Sequence, residues 1–324
     1  MDKTYTLVEY AEKKEKTKSK INNILSLGFF LGPYTIAFIM FFVFPLVFGI
    51  IISFCKFDGK SLFPSEFVFL ENYEKIFTAR VMIKDFWSSM WYTFRFALII
   101  VPICMIIPLC YALLVSLHPP GYKIFRACIY LPGIFPITAT GLILLRMFAT
   151  HNGFVNAFLD LSVDWFGDVT TGWIMVGLFC VWANIGGNFI IFCAALENVD
   201  KSLFEASNID GASKWQKFRY VTLPGIKGQL VMCLFTTLCG YMNLYGQNYI
   251  LLSNTPDQDG VKTAIYRIQD ILMGSSKNYG LAAAMAVCLG IIIAVITAIQ
   301  MTVTKERKAG NVHAKEFMAW KEQN

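Results

Sequence analysis

Six long apolar stretches, separated by polar segments, organise the 324-residue chain. Each is close to or longer than the roughly 20 apolar residues that a helix needs to cross the hydrocarbon core of a bilayer. Their number predicts a bundle of six transmembrane helices. The stretches cover residues 28–54, 92–116, 129–149, 172–196, 229–252 and 281–301.

The overall composition agrees with this pattern. Hydrophobic residues make up 56% of the chain and charged residues only 15%, whereas soluble domains have about 25% charged residues. We therefore predict an all-α integral membrane protein. The nine cysteines are scattered through the apolar stretches without a CxxC pair, which favours small buried side chains over disulfides or a metal site.

Lysine and arginine residues predict the orientation of the bundle. Residues 1–27 contain six lysines, whereas the loop 151–171, on the opposite side, contains no lysine or arginine. Because basic residues collect on the cytoplasmic side, both termini are predicted to be cytoplasmic. The chain then divides into a cytoplasmic basic tail (1–27), a six-helix transmembrane domain (28–301) with a cytoplasmic loop at 197–228, and a cytoplasmic C-terminal tail (302–324). No cleavage site follows the first span, so it is predicted to be retained.

Sequence signatures of catalysis are absent. The chain has no phosphate-binding loop, no HExxH, no GxSxG and no GxGxxG motif, and its three histidines lie far apart. We therefore expect neither an enzyme nor a bound cofactor. The net charge of +6 is explained by the cytoplasmic segments, which gives no reason to expect nucleic-acid binding. The spans also lack a carboxylate for proton relay, although backbone carbonyls could hold Na⁺, so ion coupling is only partly excluded.

Neutral polar residues cluster in the fourth and fifth apolar stretches. Amides offer paired donors and acceptors, and aromatic faces pack on sugars, so this set suits a neutral polyhydroxylated solute. The alternative is structural, because amides also join helices and tyrosines anchor at interfaces. For any one residue the structural role is favoured, whereas for the fifth-stretch group we favour a translocation path. The candidate path residues are Asn184, Asn188, Tyr241, Asn243, Tyr245, Gln247 and Asn248.

The polar loop 197–228 contains an amphipathic segment. Ser202-x-x-Glu205 is a capping-box pattern, which predicts a helix start near Ser202. Gly211 would interrupt this helix, and residues 212–220 would form a second one that ends before Leu223-Pro224. An apolar stripe on such a pair of helices is expected to pack into an apolar groove, in this protein or in another one. The stripe consists of Leu203, Ala206, Ile209, Ala212, Trp215 and Phe218.

The same loop resembles the signature of a known family, the membrane subunits of binding-protein-dependent ABC importers of the maltose-type carbohydrate branch. The matching residues are Glu205-Ala206-Ser207, Asp210-Gly211-Ala212, Phe218 and Val221-x-Leu223-Pro224. The stretches FLENYEKIF, FRACIYLPGIFP, NGFVNAFL and YGLAAAMAV are similar to this family too. Ser207 and Val221 replace Ala and Ile of the signature, its second proline is missing, and Ser253–Pro256 departs from the usual Thr-Gly-Gly-Pro.

This resemblance implies a permease subunit in the inner (cytoplasmic) membrane of a prokaryote. It would pair with a second, homologous permease subunit, with two cytoplasmic ABC ATPases that use ATP and Mg²⁺, and with an extracytoplasmic solute-binding protein. A sugar or oligosaccharide would cross by alternating access, driven by rigid-body movement of the loop. Glu205 would pair with a basic group of the ATPase or serve only as a cap, and Gly211 would permit the bend. The implied ATPase-coupling residues are Glu205, Ala206, Asp210, Gly211, Ala212, Phe218, Leu223 and Pro224.

Two other classes of function compete with this interpretation. An ion-coupled secondary carrier of a neutral polar solute would work alone and would have inverted-repeat halves, which the sequence does not show. A membrane-embedded transferase would need a catalytic cluster at one interface, and the sequence contains none.

Overall fold

The computed structural model describes residues 28–61, 63–79, 83–255, 258–274 and 277–323. The predicted basic tail 1–27 lies outside these residues. Within these residues, four helices are long and apolar enough to cross a membrane: α1 (Gly28–Ser53), α3 (Asp85–Ser116), α7 (Val169–Glu197) and α14 (Tyr279–Gln323, of which Tyr279–Val303 is long and apolar enough). They coincide with the first, second, fourth and sixth predicted spans.

Two further spans are present only as bent helix pairs. α4 (Tyr122–Ile134) and α5 (Ile137–Met147) meet at 95°, and α9 (Lys214–Gly225) and α10 (Lys227–Met242) meet at 67°. Counting each pair as one span gives six, so the prediction of a helical membrane bundle is confirmed.

Local backbone chemistry explains the break between α4 and α5 and a further break after α10, within the fifth apolar stretch. Phe135 is extended, with ψ 139°, because the following Pro136 disfavours a helical conformation at the residue before it. In the fifth stretch the helix stops at Met242, where the Asn243 side chain bonds the carbonyl of Cys239 at 2.8 Å. Asparagine competes in this way with the helical backbone. The chain resumes as α11 (Gly246–Leu252).

Short elements complete the architecture. A two-stranded antiparallel sheet pairs β1 (Cys55–Lys56) with β2 (Glu66–Phe67). The remaining helices are α2 (Glu71–Thr78), α6 (Phe154–Leu159), α8 (Lys201–Ile209), α12 (Gln258–Val261) and α13 (Ala264–Met273). We call the end of the bundle with segments 117–121 and 198–226 the basic end. The end with segments 54–84, 148–168 and 253–278 is the far end.

The core lies between α3, α7 and α10. Phe96 of α3 and Phe179, Phe189 and Phe192 of α7 are buried in one apolar cluster, which α10 joins through Cys233. A close backbone approach tightens the packing of α4 on α7. A Cβ at Gly186 would lie 3.0 Å from the Cα of Tyr130. The glycine is thus required by space at this position.

The α1 helix has the least buried apolar window of the four long spans. None of the residues in this window is buried, but the last part of α1 packs directly on α14. There Asn72 is buried and donates to the carbonyls of Ser53 (3.0 Å) and Cys55 (2.9 Å). The Tyr73 hydroxyl lies 2.7 Å from the Ser53 hydroxyl. These bonds satisfy carbonyls that the end of α1 would otherwise leave unpaired.

Candidate functional site

The loop at the basic end forms the bent helical pair that its sequence predicts. Gly211 lies between α8 and α9 with φ +68°, a left-handed conformation that favours glycine. Its N–H donates to the Asn208 carbonyl (3.1 Å), and the Ala212 N–H donates to the Ser207 carbonyl (3.0 Å). These bonds close the end of α8 in the manner of a glycine C-cap.

The α8 helix begins at Lys201, close to the predicted start near Ser202, but its capping residue differs from the prediction. Asp200, not Ser202, is the N-cap, and its carboxylate accepts the Ser202 N–H at 2.9 Å. This hydrogen bond lowers the pKa of Asp200. A carboxylate two residues earlier reaches the free N–H groups of the first turn, so the Ser202 hydroxyl is not needed. The capping box belongs instead to α9, where Ser213 and Gln216 exchange bonds of 2.7 and 3.3 Å.

The end of the second helix also differs. α9 does not stop before Leu223-Pro224 but passes through a wide π-turn at Phe218–Thr222 and ends at Gly225. Pro224 has no N–H to donate, and the residues before it absorb this loss by widening the helix. Leu223 and Pro224 therefore lie within α9, just before its 67° bend to α10.

The predicted apolar stripe is largely uncovered. Ile209 is 88% and Trp215 66% exposed, and Leu203 is also exposed. Another face of α8 attaches the loop to the bundle, where Ser207 is buried and Phe204 packs beside Val199 and Ile226. Among the other predicted coupling residues, Glu205, Ala206 and Asp210 are exposed, while Ala212 and Phe218 are half-buried.

Three of the predicted path residues are used to hold the protein together. The Asn188 amide donates to the Cys104 carbonyl (3.0 Å) and the Thr237 hydroxyl (3.1 Å), joining α7 to α3 and α10. The buried Tyr241 hydroxyl lies 3.1 Å from Cys104 Sγ and also donates to the Cys180 carbonyl. Asn248 is fully buried and donates to the Val261 carbonyl at 2.8 Å. The structural alternative accounts for these three.

The other four path candidates present polar atoms or rings at partly open positions. Asn184 and Asn243 are exposed, although each amide also bonds a carbonyl four residues earlier. Tyr245 and Gln247 are half-buried. The structure thus separates three candidates that join helices from four whose side chains are partly open.

A tyrosine cluster lies beside this second group. The Tyr245 ring stacks on Tyr249 at 5.4 Å, and Tyr266 of α13 meets both edge-on at 6.2 and 5.3 Å. Burial, followed by the charge of Asp270, raises the pKa of Tyr266 to about 12. Sequence reasoning missed Tyr266, because it lies in a polar segment that gives no signal of returning to the bundle.

An ion-pair clamp holds α13 at the far end. Arg267 pairs with Asp85 at the start of α3 and lies 3.4 Å from Asp270 and 3.5 Å from Asp259. Lys262 contacts Asp270 at 2.7 Å. These residues were also not found from sequence. In the described ranges, no three His, Cys, Asp or Glu side chains are grouped so that they could hold a metal ion.

Comparison with known proteins gives consistent results. Residues 76–307 match the family described as binding-protein-dependent transport system inner membrane component. The arabinooligosaccharides transport system permease protein AraP of Halalkalibacterium halodurans is 29% identical, over 87% of this chain and 88% of the relative. The probable starch degradation products transport system permease protein AmyD of Thermoanaerobacterium thermosulfurigenes is 28% identical, over 86% of this chain and 94% of the relative.

The fold has a counterpart among solved structures. A chain of a bacterial ABC transporter involved in the import of the acidic polysaccharide alginate superposes with a TM-score of 0.77 at 18% identity. The superposition covers 90% of this chain and 99% of that chain. At this level of identity the likeness concerns the fold alone.

Proposed function

The chain belongs to the family of binding-protein-dependent transport system inner membrane components, and from that premise we propose that it forms half of the solute path of an ATP-driven carbohydrate importer. The family consists of multi-pass membrane transport components of prokaryotes and not of enzymes. The observation that carries the proposal is the family match over residues 76–307, which includes the loop at the basic end and every span after α1.

The proposed cargo is an oligosaccharide. AraP is a permease for arabinooligosaccharides and AmyD for starch degradation products by their names, and both align with most of this chain. The tyrosine cluster supports this class of solute, because aromatic faces pack on the apolar faces of sugar rings. The proposed solute contacts are now limited to Asn184, Asn243, Tyr245 and Gln247, with Tyr249 added from the cluster.

The loop at the basic end is proposed to dock on a separate ATPase that uses ATP and Mg²⁺. Its exposed stripe, led by Ile209 and Trp215, offers apolar surface that lies outside the bundle. Glu205 stands free of any ion pair among the described residues and is available to a basic group of a partner. Two ATPase copies, one for each permease subunit, would complete the cytoplasmic side. The basic end is accordingly proposed to be cytoplasmic.

A second, homologous permease subunit is proposed to cover α1. The apolar window of α1 is unburied within this chain, so either lipid or a partner surrounds it. A solute-binding protein is proposed to deliver cargo at the far end. Both partners follow from the importer class, whereas an ion-coupled secondary carrier would need neither.

Co-purification from native membranes tests this assembly. The tagged full chain is solubilised as wild type, as Glu205→Lys, and as Glu66→Lys, a matched charge reversal at the far end. We expect wild type and Glu66→Lys to retain a P-loop ATPase and a second permease, and Glu205→Lys to lose the ATPase only. A chain that purifies alone in all three forms would favour the secondary carrier.

A further inference from the structure

A large cavity opens at the basic end between the bundle and the bent helical pair. Its volume is about 1010 Å³. The wall on one side is the last part of α3, from Cys110 to Ser116, and on the other side the loop residues Lys201, Phe204 and Phe218. The proposed transport function assigns no role to this cavity.

The loop side of the cavity is strongly basic. Lys201, Lys214 and Lys217 line it, and none of the three has a carboxylate in ion-pair contact within the part of the chain that is described. Arg126 and Glu197 also line it, but they neutralise each other in a pair of 2.8 Å. The cavity therefore carries about three uncompensated positive charges at its polar side.

The opposite side of the cavity is apolar and reaches into a span. Leu113, Leu114 and Val115 line it from within α3, with Leu196 facing them from α7. The stretch from Cys110 to Ser116 extends about 9 Å along the helix axis, at the rise of an α-helix. Leu114 of α3 and Leu117, the residue directly after α3, are exposed, so the cavity borders the region where acyl chains lie.

We propose that this cavity binds an acidic phospholipid. Its phosphate would sit among Lys201, Lys214 and Lys217, and an acyl chain would lie along Leu113 and Leu114. Basic pockets between membrane helices on the cytoplasmic side suit anionic headgroups in this way. A purely cytoplasmic protein would complement the lysines but would not reach the apolar wall inside α3.

The bound lipid would link the bundle to the bent helical pair. Lys201 belongs to α8 and Lys214 to α9, whereas the apolar wall belongs to α3 and α7. A lipid held by both sides restrains the loop relative to the spans. That this restraint affects ATP-driven transport rests on the proposed function, whereas the lipid binding itself does not.

Native mass spectrometry of the full chain tests the site, with phosphatidylglycerol and phosphatidylcholine as probes. The test variant combines Lys201→Gln, Lys214→Gln and Lys217→Gln. The control combines Lys123→Gln, Arg219→Gln and Lys227→Gln, which remove three charges from the same end outside the cavity. At about 1 kcal/mol for each basic residue, the test variant should bind phosphatidylglycerol about a hundredfold more weakly. The control variant and a triple Lys→Arg variant should bind like wild type, and phosphatidylcholine should show no difference.

Four results would overturn the proposal. An equal loss in the control variant would indicate diffuse surface attraction. Competition by glycerol phosphate as strong as that by the intact lipid would indicate a site for a free anion. Unchanged lipid binding in the test variant, together with loss of a co-purifying ATPase, would show that the lysines face a protein. If the test variant retains both phosphatidylglycerol binding and the co-purifying ATPase, the three lysines contribute to neither interaction.

Discussion

Arg267 of α13 forms an ion pair with Asp85 at the start of α3, and this contact ties the segment after the fifth span back to the second span. The two side chains are only 12% and 22% exposed. A hydrogen bond from the Ala264 N–H to the Thr93 hydroxyl (2.9 Å) joins the same two helices one turn further along. The α13 helix is therefore fixed to the bundle by contacts with the second span.

Replacing Arg267 by glutamine should destabilise the protein, because it leaves the Asp85 carboxylate half-buried without its cation. Removing one partner of a fully buried ion pair lowers the free energy of unfolding by about 3–5 kcal/mol, and the partial exposure of this pair reduces the expected loss to about 2 kcal/mol. Thermal unfolding of the purified chain measures the effect. Asp259→Asn is the control, because that carboxylate is 76% exposed and its loss should change little. Equal midpoints for both variants would contradict a structural role for the clamp.

Two adjacent glycines in α7 should respond in opposite ways to alanine. Gly186→Ala places a Cβ 3.0 Å from the Tyr130 Cα, and overpacking of this kind costs about 1–3 kcal/mol. Gly187 has open space around it, so Gly187→Ala should be neutral or stabilising by up to about 1 kcal/mol. Thermal midpoints in one detergent compare the two. A midpoint for Gly186→Ala at or above wild type would refute the close approach of α4 and α7.

Asn72→Leu should weaken the junction between α1 and the far-end sheet. The change leaves the carbonyls of Ser53 and Cys55 without their donor, at about 1–3 kcal/mol for unsatisfied buried groups. Tyr73→Phe, which removes only one hydroxyl bond, should cost about 1 kcal/mol. Chemical labelling of a cysteine placed at the end of α1, followed over time, reports the loosening. The interpretation fails if Tyr73→Phe increases labelling more than Asn72→Leu does.

Gly211→Pro should leave the chain inserted in the membrane but uncouple transport. Proline fixes φ near −65°, whereas Gly211 has φ +68°, so the turn between α8 and α9 must change. Uptake measured with the partner proteins present should fall strongly, while membrane content stays at the wild-type level. Gly228→Ala, at an open position in α10, is the control. Normal uptake by Gly211→Pro would refute docking through this turn.

The N-cap of α8 gives a pH-dependent prediction. The Asp200 carboxylate accepts the Ser202 N–H, and this bond lowers the pKa of Asp200 in the folded protein. The stability that the bond contributes is therefore fully present above the unfolded pKa near 3.8 and is lost as the pH falls through the lower folded pKa. The amides in the first turn of α8 should be less protected from exchange in Asp200→Ala than in wild type at neutral pH, and this difference should disappear once the pH falls below the folded pKa of Asp200. Ser202→Ala should exchange like wild type. Faster exchange in Ser202→Ala alone would restore the capping box predicted from sequence.

Hydropathy was sufficient to locate the membrane spans, since long apolar runs have few alternatives in a chain this hydrophobic. It could not distinguish a straight span from a bent one. The break at Phe135–Pro136 was signalled by proline, but prolines at 102 and 108 lie inside the continuous helix α3. Whether a proline breaks a helix depends on neighbours that restore its lost bond, and a linear pattern does not contain them.

The candidate site was only partly predictable for a similar reason. The turn at Gly211 follows from local chemistry, and sequence predicted it. The roles of Asn188 and Asn243 depend on which backbone carbonyl each side-chain amide can reach. For Asn188 this is the carbonyl of Cys104, which lies 84 residues earlier in another helix. The ion pair of Arg267 with Asp85 likewise joins segments that are distant in sequence. Such partners follow from packing and not from composition.

The 67° bend between α9 and α10 determines what kind of motion the fifth span can receive. If both helices are stiff, a displacement along the axis of α9 has a larger component perpendicular to α10 and a smaller component along α10. A partner that pushed along α9 would therefore move α10 sideways more than along its own axis. Swinging opens and closes a gap between helices without carrying polar loop residues into the hydrocarbon.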